Sequence, residues 1–197
     1  MVESMDTKRL IAESLKELSK DKNFDKISVG EIAAKSNVNR QTFYYHFQDK
    51  YDLLKWIYKE DYFRPNIEGI TMENWDECLV KILTSVQKDR AFAINTIRHT
   101  EEDIREWFLA DTEDMFGAAI QFLKAQPALD NREVRRMDEV EQQFIARFFA
   151  YGVCGMVIEW IEKGMQDSPE VVAGRMRKLL DICKQLAYKQ MLEEQGE

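Results

Sequence analysis

Apolar residues recur at three- and four-residue steps along almost the whole chain, and very little in it can stop a helix. Eight glycines and three prolines are spread over 197 positions. The pattern therefore predicts an all-α fold of about nine helices. Nearly half the residues are apolar and 32% are charged, which suits a well-packed helical protein.

The breaks divide the chain unevenly. Leu10, Ile11, Leu15 and Leu18 define a first helix that ends near Asp21–Asn23. Ser28-Val29-Gly30-Glu31 has the form of a capping box, so a second, short helix starts at Ser28. Asn37 tolerates the left-handed conformation and can make a sharp turn. Val38 then enters the core, and Asn39 can cap a third helix. Asp49 and Asp52 open a fourth, running to about Phe63 before Arg64-Pro65-Asn66 ends it. Longer amphipathic helices follow at roughly 73–88, 90–98, 101–125, 131–164 and 169–194. The breaks leave a small helical module over 1–64, read below as a three-helix helix-turn-helix domain, and an all-α domain over 65–197.

The third helix carries the chemistry. At about 100° per residue, Phe43 and Phe47 share a buried side, Gln41, Thr42 and Tyr45 point away, and Tyr44 and His46 flank them. Arg40 sits in the first turn. Two short helices joined by a tight turn, the second polar on its outer face, form a helix-turn-helix whose second helix can enter the major groove. Arg can bond guanine bidentately, Gln can bond adenine, and the Thr methyl can meet the thymine methyl. Tyr hydroxyls, His46, Lys50 and helix N-termini such as that at Ser28 suit phosphate oxygens. The same residues could also make a plain packed surface, so spacing alone leaves DNA binding and simple helix packing both open.

The segment ISVGEIAAKSNVNRQTFYYHFQDKYDLL, Ile27 to Leu54, resembles the DNA-binding signature of the TetR family of bacterial transcriptional regulators. The resemblance runs through the Ser before the second helix, the Ile-Ala pair, the small polar turn, the Thr-Phe-Tyr-x-His-Phe core, Asp-Lys and Leu-Leu. It implies that Arg40, Gln41 and Thr42 face bases. It also implies that Tyr44, Tyr45, His46 and Lys50, joined by Ser28 and Val29, hold phosphates. Gly30 stands where some relatives carry a larger residue, which shifts base reading toward the third helix.

For the rear domain the resemblance implies a ligand pocket and a homodimer built from the last two helices. Val172, Met176, Leu179, Cys183 and Leu186 recur at heptad-like steps. The preceding helix offers Phe144, Phe148, Tyr151, Trp160 and two glycines, Gly152 and Gly155, that admit a close neighbour. Both seams could equally be internal core. The candidate pocket residues are Phe92, Trp107, Phe108, Phe116 and Phe148, with Cys78 or His99 as polar contacts, although an aromatic stripe at this spacing often marks ordinary core. The segment FFAYGVCGMVIEWIEKGM and Trp75 also resemble a branch that includes regulators of dihydroxyacetone kinase operons, which implies an activator with a kinase-like protein partner.

Formal net charge is −8, which gives no general support for nucleic-acid binding. The acidity is uneven: residues 1–64 hold twelve Lys+Arg and eleven Asp+Glu, the remainder sixteen and twenty-five. No apolar run approaches a membrane span, and the charged N-terminus lacks a signal-peptide core, so a cytoplasmic location is expected. Cys78, Cys154 and Cys183 have no metal-ligand spacing, and no metal or cofactor is expected. The chain has no Gly-rich phosphate loop or H-E-x-x-H, and its two histidines, His46 and His99, lie far apart. No enzyme is expected. The expected partners are an operator in double-stranded DNA, a second copy of the chain, and a small-molecule or protein effector. A helical interaction adaptor that reads no DNA is the alternative.

Overall fold

The computed structural model describes residues 2–71, 74–100, 102–125 and 136–194, without the side chains of 2–4, 102, 103, 123 and 183–194. The described residues are helical, with no strand. They form α1 (Val2–Asp21), α2 (Val29–Lys35), α3 (Arg40–His46), α4 (Lys50–Ile57), α5 (Trp75–Lys88), α6 (Arg90–Arg98), α7 (Glu102–Ala125), α8 (Glu139–Glu162) and α9 (Pro169–Glu194). A single 3-10 turn, Phe24–Lys26, joins α1 to α2, and α4 continues as a π-helical segment, Tyr58–Phe63.

The front module forms because its caps and core agree. Ser28 and Glu31 make a reciprocal capping box. Glu31 also bonds Lys22 at 2.6 Å, and these contacts hold its carboxyl at about 2, well below its ordinary 4.5. Asn37 takes the left-handed conformation at φ 53°, and the Asn39 side chain accepts the Thr42 amide at 2.7 Å. Ile11, Leu15, Phe24, Ile32, Phe43, Leu53 and Leu54 close the core with no exposed area.

That core runs without interruption into the rear helices. Asn95 on α6 secures the junction: its Nδ2 donates to the carbonyls of Ser19 and Lys22, and its Oδ1 accepts the Phe24 amide. The carbonyls left over at the end of α1 are thereby satisfied from the other part of the fold. Behind it α7 and α8 lie along one another, while α9 packs on α5. Arg147 on α8 forms a two-pronged pair with Glu113 on α7 at 3.1–3.3 Å. A capping box at Asp138 sets the start of α8 at Glu139 rather than at 131. Gly164, at φ 80°, allows the Met165 amide to reach the Trp160 carbonyl and ends α8.

By length and composition α8 is apolar enough to cross a membrane, with a mean hydropathy of 1.5. Its apolar residues face two ways, however. One side packs on α7, and the other leaves Val140, Phe144, Phe148, Tyr151 and Met156 exposed. Such a helix reads as one awaiting a second packing partner.

Candidate functional site

The surface around α3 is built on a rigid base. Phe43 and Phe47 are buried, Phe47 meets Trp56 edge-on, and Phe43 meets Tyr44. With those rings fixed, Gln41, Tyr44 and Tyr45 project from the protein, Tyr45 with 81% of its area exposed, while Arg40, also exposed, lies back over α2. Thr42 and His46 are half-buried at its edges. Thr42 Oγ1 donates to Asn39 Oδ1 at 3.1 Å, so its hydroxyl is engaged within the cap of α3. Partial burial, aided by the charge of Lys8, lowers the His46 pKa below its ordinary value.

Arg40 and Gly30 are linked in space. A Cβ on Gly30 would lie 2.5 Å from an Arg40 guanidinium nitrogen. The missing side chain on α2 is the space into which Arg40 folds. The Ser28 hydroxyl is engaged by Glu31 at 2.8 Å and accepts the Glu31 amide, so the Val29 and Gly30 amides are the first-turn donors of α2 suited to an anion.

Lys50 requires a correction. Its ammonium donates to the carbonyls of Phe24, Asp25 and Ile27 at 2.9, 2.9 and 3.0 Å, and it lies over the Phe24 ring. An ammonium has three donors, and here all three are turned inward. Lys50 fastens α4 to the turn before α2 instead of standing ready for phosphate. These carbonyls lie more than twenty positions away in the chain, where no local pattern could point to them.

A cavity of about 440 Å³ lies in the rear domain, framed by the π segment, residues 67–71 and helices α5, α7 and α8. Phe108 and Phe116 line it. Phe92 instead packs on Tyr58 in the core, Cys78 is buried outside the lining, Trp107 meets Phe63 and Phe108 at tilted angles, and His99 caps α6. Phe148 projects to the outside. Trp75, Thr112, Phe122 and Cys154 line the cavity but were not anticipated, because only the turn of α7 against α8 fixes which side of each helix faces in. Cys154 donates to Thr112 Oγ1 at 3.1 Å, and burial raises its thiol pKa.

The expected dimer residues separate into two groups. Val172 and Met176 are buried in the chain's own core, since α9 turns that side toward α5. They are withdrawn as interface residues. Leu179 is 62% exposed, and a Cβ on Gly152 or Gly155 would meet nothing within 4 Å. The side chains of Cys183 and Leu186 lie outside the described residues. Among the described residues no group of three or more His, Cys, Asp or Glu side chains is placed to hold a metal.

Comparison with known proteins joins both halves of this arrangement. Residues 11–57 match the family described as bacterial regulatory proteins, tetR family, and residues 73–182 match a transcriptional regulator C-terminal region. The chain is 25% identical over 164 residues to the HTH-type dhaKLM operon transcriptional activator DhaS of Lactococcus lactis subsp. lactis (strain IL1403), covering 83% of this chain and 84% of that protein. A solved structure of the dihydroxyacetone kinase operon activator DhaS shares the fold with a TM-score of 0.64 at 24% identity, over 91% of this chain and 97% of that one. NalD, the secondary repressor of the MexAB-OprM multidrug efflux pump in Pseudomonas aeruginosa, shares it with a TM-score of 0.60 at 19% identity, over 89% and 94%. With a family match on each part of the fold, the chain belongs to the TetR family of DNA-binding transcriptional regulators, a family without enzymatic activity.

Proposed function

We propose that the protein acts as a homodimer on a near-palindromic operator and releases or engages it when an effector occupies the rear cavity. The observation that carries this reading is the outward face of α3, polar and hydrogen-bonding above a fully buried aromatic base. Arg40, Gln41 and Thr42 are assigned to base edges. Tyr44, Tyr45, His46, Ser28 and the Val29 amide are assigned to phosphates. Residues up to about 64 read DNA, and those beyond it sense and dimerise.

One short recognition helix offers little contact, whereas two-fold symmetry pairs two half-sites. The exposed apolar residues of α8, with Leu179 and Ile182 of α9, supply the surface a second copy would cover. Gly152 and Gly155 would let the partner's helices come close. A cavity of about 440 Å³ is of small-molecule size, which favours a small effector over a protein one. An effector must bind the two arrangements of the dimer unequally in order to switch it. Its relatives are named as an activator in one case and a repressor in another, so the sign of regulation is left to the position of the operator.

The test is a gel shift of the protein on its gene's upstream DNA across a salt series. Binding should weaken steeply with salt, because neutralising phosphates releases counterions. Arg40→Ala should relax preference at one position of each half-site. Absence of binding to every upstream fragment at low salt would leave the adaptor reading in its place.

A further inference from the structure

We propose that the rear cavity takes an uncharged, ring-bearing, largely apolar molecule that offers one acceptor atom to the Thr112 hydroxyl. This inference rests on the effector reading above and assigns that effector a chemical class.

No Asp, Glu, Lys, Arg or His stands among the described residues that line the cavity. Of the charges outside the lining, Asp89 is paired with Lys16 and Tyr62 and Glu113 with Arg147, while Asp111, beside Thr112, is negative and raises the Cys154 thiol, which adds to the penalty on an anion. A ligand carrying a formal charge would leave water and find nothing to neutralise it. The polar atoms present are neutral and mostly occupied. Tyr58 turns its ring to the cavity while its hydroxyl bonds Thr96 at 2.9 Å. The hydroxyl of Thr71, at the edge of the lining, bonds Asn74 at 3.1 Å. The Cys154 thiol, kept protonated by burial, has two acceptors in reach, Thr112 Oγ1 at 3.1 Å and the Phe108 carbonyl at 3.5 Å, and Thr112 is the nearer. Thr112 thus accepts from the sulfur and directs its own hydrogen to a guest. Around it Trp75, Phe108, Phe116 and Phe122 supply ring faces and edges, which favour flat apolar guests in offset or edge-on contact.

The matched pair N-phenyl-1-naphthylamine and 1-anilinonaphthalene-8-sulfonate differs essentially in one negative charge, so fluorescence titration of the full-length protein isolates that term. The neutral compound should bind at least tenfold more tightly. Ala119→Trp, on the α7 wall, or Val157→Phe, on the α8 wall, should weaken it at least tenfold by occupying the space, in proteins whose helical circular dichroism is unchanged. Two such variants guard against one that fails to fold. Thr112→Val should weaken the neutral ketone 6-propionyl-2-(dimethylamino)naphthalene several-fold and leave N-phenyl-1-naphthylamine unaltered. Equal binding of the sulfonate would overturn the inference, as would neutral binding that survives both filling variants. Cavity binding with no change in operator affinity would instead sink the effector reading and leave the ligand class standing.

Discussion

Gly30 and Arg40 act as one unit, and a single methyl group separates two states of it. Adding Cβ at position 30 must push the Arg40 guanidinium aside, because the two would approach to 2.5 Å. The moving part is the tip of a flexible side chain, so the fold loses little. Replacing a helical glycine by alanine is itself favourable by up to about 1 kcal/mol. Gly30→Ala is therefore expected to keep or slightly raise the urea midpoint while changing operator preference at the base Arg40 meets, as read by selection from a randomised half-site. An unaltered preference would show that Arg40 does not read from this position. Lys50 behaves in the opposite sense. Lys50→Met strips three carbonyls of a charged donor, and such bonds contribute roughly 1.5–3 kcal/mol. Denaturation should record that loss. A flatter salt slope of DNA binding with unchanged stability would return Lys50 to the phosphates.

At the scale of elements, the π segment Tyr58–Phe63 holds the two functions together. Tyr58 and Phe63 border the cavity, while Asp61 and Tyr62 face α1 and α6. Lys16 on α1 bonds Asp61 at 2.7 Å and Asp89 at 2.9 Å, Arg9 adds a second bond to Asp61, and Tyr62 donates to Asp89 at 2.8 Å. Burial works against the charge on Lys16, yet its two carboxylate partners raise its pKa above 10.5. Burial likewise opposes the charge on Asp89, but Lys16 and Tyr62 lower its pKa below 3.8. A raised lysine contributes stability that is complete below its unfolded pKa and fades as pH rises through the folded one. A lowered carboxylate contributes stability that fades as pH falls below its unfolded value. The network should thus hold between about pH 4 and pH 10 and weaken at both ends. Glu31 adds to the acid limb, between its ordinary 4.5 and about 2. Lys16→Met leaves two carboxylates facing each other half-buried, and a loss of roughly 2–4 kcal/mol is expected after allowing for the solvent that reaches Asp89. Urea midpoints followed against pH should lose their alkaline limb in this variant.

Which of these features the sequence made legible follows from how far each cause reaches. The Ser28–Glu31 box, the left-handed Asn37 and the Asn39 cap are settled within four residues, and each was readable from the letters. The buried pair Phe43 and Phe47 follows from helical period alone. The role of Lys50, the network of Lys16 and the π register of Tyr58–Phe63 depend on partners tens of residues away. The pocket shows the same division. Aromatic content on α7 pointed to Phe108 and Phe116, but the orientations of α5 and α8 decided that Cys154 rather than Cys78 faces the space.

For the whole molecule the decisive surface is the outer face of α8 and α9. Phe144, Phe148, Tyr151 and Leu179 are each more than half exposed, and fully burying one such side chain contributes about 1.5–3 kcal/mol. Phe148→Asp together with Leu179→Asp should turn a dimer into monomers in sedimentation equilibrium at micromolar protein. Operator affinity should drop by at least a hundredfold while each monomer keeps its helical signal. A variant that stays dimeric would move the interface elsewhere.

The walls of the cavity do not share one fate. Tyr58 and Phe63 belong to the same continuous helix that Lys50 ties to the turn before α2, so under the proposed function an altered side chain there should change recognition of guest and of DNA together. Leu79, Ala119 and Val157 line the cavity from other helices, α5, α7 and α8. Over evolutionary time the second set can drift toward new chemicals while the operator stays the same. An engineer seeking a biosensor with new selectivity and an unchanged promoter would do well to randomise those positions and leave the π segment alone.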